Sequence, residues 1–115
     1  MRLSGYLMAV EQGSSLLFSD YKDGGVMWTG EGPRELRRPI AFAEHYSAAP
    51  AVHVSISLWD MDQKSNQRAD ITAEKVTPKG FEIVFRTWGD TRVARIRADW
   101  LAVGPVESDD DWHIN

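Results

Sequence analysis

Three histidines, His45, His53 and His113, are the first residues to test for chemistry, and they lie too far apart for short metal-ligand spacings such as His-x-Glu or His-Glu-x-x-His. His53 reads most simply as a half-exposed strand residue. Asp60 and Asp62 form a pair of carboxylates, but at that spacing they are turn formers before they are an acid/base couple. The loop Asp60-Met-Asp-Gln-Lys-Ser-Asn66 opens like a calcium loop. Lys64 then occupies a ligand position, no glycine follows it, and Ile71 stands where a bidentate Glu belongs. The absence of cysteine excludes thiolate nucleophiles, Cys-based zinc sites and disulfides. These residues predict no enzyme, no metal and no cofactor.

Arg92, Arg95 and Arg97 are the sharpest basic feature, and Arg95 and Arg97 alternate with Asp99 along one strand-like stretch. Cross-strand carboxylates such as Glu82 are expected to neutralise them. No aromatic residues are interleaved there, and the chain carries a net charge of −4. Nucleic-acid binding and anionic membranes both call for an excess of Lys and Arg, so a neutral ligand fits better. No apolar run approaches the roughly 18 to 20 residues of a membrane-spanning helix, and no membrane insertion is expected.

The elements that would position a site follow from periodicity. At 115 residues, 43% hydrophobic and 26% charged, the chain suits one folded domain. Its alternating stretches repeat every two residues, which is the strand period. Ala51 to Trp59 places Val52, Val54, Ile56 and Leu58 on one face, with His53, Ser55, Ser57 and Trp59 on the other. Gly80 to Trp88 points Phe81, Ile83 and Phe85 inward after the turn signal Thr77-Pro-Lys-Gly80. Arg92 to Val103 groups Ala94, Ile96, Ala98, Trp100 and Ala102, which makes Trp100 a core residue. Arg34 to Phe42 and Ala69 to Val76 are further strands. The first thirty residues offer only short apolar runs at Tyr6 to Val10, Leu16 to Phe18 and Val26 to Trp28. About six short strands and no helix predict an all-β antiparallel sandwich or barrel. The domain is expected over residues 1–104. Residues 105–115 form an acidic tail whose Trp112 and Ile114 could dock on a neighbouring protomer or a larger assembly.

Asn66-Gln-Arg-Ala-Asp70, Val76-Thr-Pro-Lys-Gly-Phe81, Thr87-Trp-Gly-Asp-Thr-Arg-Val93 and Ala98-Asp-Trp100 together resemble the H-type lectin family, in one continuous register that extends upstream through Arg34-Glu-Leu36, Ile40-Ala-Phe42, Pro50 and Val54-Ser-Ile-Ser57. The resemblance implies a six-stranded antiparallel β-sandwich. It also implies homotrimers, sometimes stacked into hexamers, with sugar sites in clefts between protomers. By the same resemblance, Arg68 and Trp88 would contact the sugar, and an early-loop acid maps approximately to Glu31. Gly89 and Ala94 stand where animal members carry His and Tyr, so a GalNAc preference does not transfer.

The residue chemistry suits that role. A sugar ring has an apolar C–H face and a rim of hydroxyls. Trp88 offers an aromatic plate, Arg68 fixed donors and Glu31 an acceptor for paired hydroxyls. Each has a plainer alternative: Trp88 as a cap on the sandwich edge, Arg68 paired with Asp70 or Asp62, Glu31 as a loop acid. Trp28 and Trp59 are the candidates to replace the missing aromatic. The expected function is non-catalytic recognition of a cell-surface glycan, outside the cell or on a virion, without a classical signal peptide. The host-recognition part of a phage-like particle is the expected setting. The alternative is a structural assembly protein that keeps the trimer and has lost the sugar.

Overall fold

A computed structural model describes residues 7–107, and the docking role expected of Asp109 to Asn115 lies outside them. Six strands and one helical turn follow in order: β1 (Leu7–Ser19), α1 (Val26–Thr29), β2 (Arg34–Ala41), β3 (Ala51–Met61), β4 (Asp70–Glu74), β5 (Gly80–Thr87) and β6 (Val93–Val106). They make two three-stranded antiparallel sheets, β1-β6-β3 and β2-β5-β4, as the sandwich expectation required. Between the sheets, alternate residues meet: Phe18 and Phe85 stand 5.5 Å apart, and Ile83, Ile96 and Ala98 fill the middle. At one end Phe42, Tyr46, Phe81 and Trp100 form a tilted and edge-on aromatic cluster. Gly13 faces Trp100 across the β1–β6 ladder, and a β-carbon there would stand 2.6 Å from the indole, so only glycine lets that ring lie across the strand.

The structure departs from expectation at four places. The early apolar runs are not separate short strands: residues 7–19 form one long strand. Its apolar pattern is broken because a bulge between Leu16 and Phe18 turns both Leu17 and Phe18 inward. Val26 to Trp28 forms a helical turn where no helix was expected, because Asp20 Oδ2 accepts the Met27 N–H and Thr29 Oγ1 closes on Gly25 O. A bulge in β3 between Ile56 and Leu58 shifts the alternation, so Leu58 pairs with Arg97 on the outer face. Trp59 instead pairs with Ile96 on the face toward the other sheet, where it lies at the open edge and stays 61% exposed. Finally, β6 runs through Val106, past the boundary expected after residue 104.

The two outer faces differ in kind. On the β2-β5-β4 sheet, Arg37 contacts Glu35, Glu74 and Glu82, and Arg86 contacts Glu35, Asp70 and Glu74. This lattice covers Val84, which is fully buried although it lies on the outward face with Glu82 and Arg86. Glu82 therefore pairs with Arg37 and Lys75 and is not available to Arg95 or Arg97, which lie in the other sheet. Arg95 pairs with Asp60 and Arg97 with the Ser57 hydroxyl, their neighbours on β3. The outer face of the β1-β6-β3 sheet carries exposed Met8, Val10, Leu16 and Leu101.

Candidate functional site

The five residues Thr87-Trp-Gly-Asp-Thr91 close the β5–β6 turn, and everything near the expected site is built on them. Gly89 lies at φ +69°, a left-handed conformation that favours glycine. A β-carbon there would also approach Arg68 Nη1 to 3.0 Å. The Gly89 carbonyl accepts the Gly32 N–H at 2.9 Å and Arg34 Nη2 at 3.2 Å. Arg34 further donates from Nε to Gly32 O and from Nη1 to Met27 O, at 3.0 and 3.1 Å. One guanidinium, on a residue only 7% exposed, thus ties the helical turn, the loop carrying Glu31 and the turn carrying Gly89. Burial lowers the basicity of Arg34, and the Glu31 carboxylate works in the opposite direction.

Arg68 is placed from the other side. The Thr87 and Thr91 hydroxyls donate to Arg68 O and Asn66 O, both at 2.5 Å, and Arg68 N donates back to Thr91 Oγ1 at 3.1 Å. Two threonines flanking a Gly-Asp turn therefore clamp the facing loop. The Arg68 side chain does not pair with Asp70 or Asp62, because those acids are taken by Arg86 and Arg92. Its Nη1 meets Asp90 Oδ1 at 2.7 Å, and Asn66 Nδ2 reaches the same oxygen at 3.3 Å. Partial burial pushes the Asp90 carboxyl up, but the hydrogen bonds from Asn66 and then Arg68 outweigh it and hold it below its ordinary value of 3.8.

Glu74 and Asp99 are also held low, Glu74 by Thr72 and then Arg86, Asp99 by Ser14 and then Ser57. A carboxyl depressed in the folded state stabilises the fold above its ordinary value and loses that contribution as pH falls through the folded value. We expect a constant Tm from neutral pH down to about pH 5 and a decline beginning near the ordinary values of 4.5 for Glu74 and 3.8 for Asp90 and Asp99. Thermal unfolding at stepped pH checks this; a Tm unchanged at about pH 3 would contradict it.

Trp88 lies just beyond β5 and is 42% exposed. It borders a groove of about 390 Å³ with Pro33, Arg34, Glu35, Arg86 and Thr87. Neither Arg68 nor Glu31 lines that groove, so the turn brings the expected residues to one end of the sandwich but not into one pocket of the protomer. Glu31 is exposed and has no hydrogen bond among the described residues. Trp28 is not free to act as an open plate: the Arg92 guanidinium lies 4.4 Å over its ring and donates from Nε to its carbonyl. Trp59 borders a smaller groove with Ile56, Met61, Gln67 and Ala69. Chemically, the arrangement offers an aromatic face at Trp88, the unoccupied Arg68 donors and the Asp90 lone pairs. Arg34, Asp90 and the two threonines hold the expected site residues in place, and residue type alone does not single them out. The symmetric Thr-x-x-x-Thr frame of the turn is the signal in the sequence that marks Asp90 and the threonines.

Residues 37–103 match the family model described as H-type lectin domain. A relative from Fuscovulum blasticum named ATP synthase subunits region ORF 7 is 60% identical over 110 residues, covering 96% of each chain. A discoidin-1 chain of Dictyostelium discoideum is 30% identical over 105 residues, covering 89% of this chain and 42% of that protein. This chain thus spans less than half the length of that relative. Discoidin II from Dictyostelium discoideum has a similar solved structure, with a TM-score of 0.76 at 24% identity, covering 90% of this chain and 40% of that one.

Proposed function

Because this chain belongs to the H-type lectin family, we propose that it binds glycans at the end of the sandwich built on Thr87 to Thr91, with Trp88 as the stacking plate, Arg68 as hydroxyl donor, and Glu31 and Asp90 as acceptors. Gly89 shapes this site by leaving room for Arg68. The observation that carries the reading is the clamp. Two hydrogen bonds to the threonines hold the Arg68 backbone against the turn, a third holds Asn66 O beside it, and the Arg68 Nε and Nη2 have no acceptor among the described residues. Fixed donors and an exposed indole, brought to the same end of the sandwich, are what a ring with one apolar face and a hydroxyl rim requires.

The separation of Trp88 from Arg68 within one protomer supports clefts shared between protomers. The exposed apolar row of Met8, Val10, Leu16 and Leu101 supports a homotrimer formed through the β1-β6-β3 sheet, since the ion-pair lattice occupies the opposite face. A single shallow site binds at roughly millimolar strength, about −4 kcal/mol, so several sites on one rigid body make recognition of a cell surface effective. Host-surface recognition by a phage-like particle belongs to this proposal.

A glycan array at high ligand density tests it. Binding is expected for the trimer and should fall at least about tenfold in Trp88→Ala, whose exposed ring leaves folding intact. A silent array, or Trp88→Ala binding like wild type, removes the lectin reading. A strict monomer by light scattering at micromolar concentration removes the shared cleft. The second reading, a structural protein that keeps the trimer without sugar binding, is favoured by Ala94, where an aromatic residue of the site is missing.

A further inference from the structure

A different groove, of about 470 Å³, opens where the Asp20-to-Thr29 loop folds back beside the start of β6; Trp28 and Ala94 line it, but Arg68, Trp88, Glu31 and Asp90 do not. Tyr21 and Trp28 form its aromatic wall, their rings meeting nearly at right angles with centroids 4.9 Å apart. The Tyr21 ring is 60% exposed. This wall is fixed before any ligand arrives. Arg92 covers the other side of Trp28, Asp20 N donates to Ala94 O at 2.7 Å, and Asp20 in turn accepts Met27 N. A β-carbon on Gly25 would run into the Asp20 carboxylate and displace the acceptor of the Met27 N–H. Ala94 is small, which keeps the floor of the groove open.

The polar rim is built across the sheet. Ser19 on β1 and Asp60 on β3 are the ladder partners of Arg95 on β6, so the three side chains share one face. Asp60 Oδ2 accepts from Arg95 Nη2 at 3.3 Å, while Lys22 makes no ion pair among the described residues. Lys22 and Arg95 against Asp60 leave two cations to one carboxylate, an excess of one positive charge in a chain whose net charge is −4. An aromatic wall, a hydroxyl and a surplus cation suit a ring with an apolar face that also carries an anionic group.

We propose that this groove is a second saccharide site, selective for a sugar unit bearing a carboxylate, with Tyr21 stacking on the ring and Lys22 and Arg95 holding the carboxylate. The test is titration of the full chain with galacturonate and, in parallel, with methyl β-galactoside, followed by saturation-transfer NMR and by tryptophan fluorescence. Galacturonate is expected to bind at least about fivefold more tightly, with the difference shrinking as salt rises. Tyr21→Ala should abolish binding of both sugars at this groove, and Lys22→Glu should abolish the preference alone. Equal binding of the two sugars, a preference that survives Lys22→Glu together with Arg95→Ala, or full binding by Tyr21→Ala overturns the proposal. A positive array with no preference for galacturonate loses this site and keeps the Trp88 site. A silent array with a preference that Tyr21→Ala removes does the reverse.

Discussion

Arg34→Ala is expected to cost about 3 to 5 kcal/mol of folding stability, a fall in Tm of very roughly 10 to 20 °C for a domain of this size. Arg34 donates to three backbone carbonyls, those of Met27, Gly32 and Gly89, which belong to three segments otherwise joined by few bonds. Truncation leaves carbonyls short of donors where water has little access and also empties the volume of the side chain. Arg34→Lys should recover less than half of the loss. An ammonium is a point donor on a flexible stem and cannot reach three divergent carbonyls as a planar guanidinium does. Urea unfolding measures both variants. A loss under about 1 kcal/mol for Arg34→Ala would mean that the loops hold one another without it. Amide exchange at Gly32, whose N–H also bonds to Gly89 O, would then stay slow, whereas it is expected to accelerate in the variant.

The alternation of Phe81, Ile83 and Phe85 against Ile96, Ala98 and Trp100 makes the sandwich readable, because both faces of a strand are declared by every second residue. Where a bulge inserts one residue, that grammar fails. Leu17 and Phe18 are both buried, and Trp59 changes sides relative to the even count that starts at Val52. Val84 is a different failure. It is buried on the outward face because long Arg and Glu side chains from three strands close over it, which periodicity on β5 alone does not show.

The candidate site is legible as residue types and not as partners. Arg68, Trp88, Gly89 and Glu31 do gather at one end of the sandwich, since the 30–33 loop bonds to the 88–91 turn and Arg68 touches Gly89. Ion pairing, however, is set by distances between loops remote in sequence. Asp70 is near Arg68 along the chain, yet β4 pairs with β5 and turns that carboxylate toward Arg86, while Asp90 arrives from the far side of the turn. Trp28 suggests a sugar contact because it is aromatic and sits in a loop. Its ring lies under Arg92 on one side and against Tyr21 on another, so it walls the second groove and does not stand as an open plate beside Trp88.

Thr91 decides whether the clamp on Arg68 is made by hydrogen bonding or by shape. Its side chain is fully buried, and its hydroxyl both donates to Asn66 O and accepts from Arg68 N. Thr91→Val keeps the volume and leaves the part-buried Asn66 carbonyl and Arg68 N–H without their partner, each costing about 1 kcal/mol, for an expected loss of about 2 kcal/mol. Thr91→Ser keeps both hydrogen bonds and removes one methyl, an expected loss of about 1 kcal/mol. Chemical unfolding should therefore rank wild type above Thr91→Ser, and Thr91→Ser above Thr91→Val. Shape alone would invert the last two, since valine fills the site and serine does not. The same order should appear in glycan binding. The Arg68 backbone is held by this hydroxyl and by Thr87, so releasing one anchor lets the guanidinium swing away from the turn while leaving Trp88 in place. A Thr91→Val variant that unfolds easily but still binds like wild type would show that Arg68 needs no such anchoring.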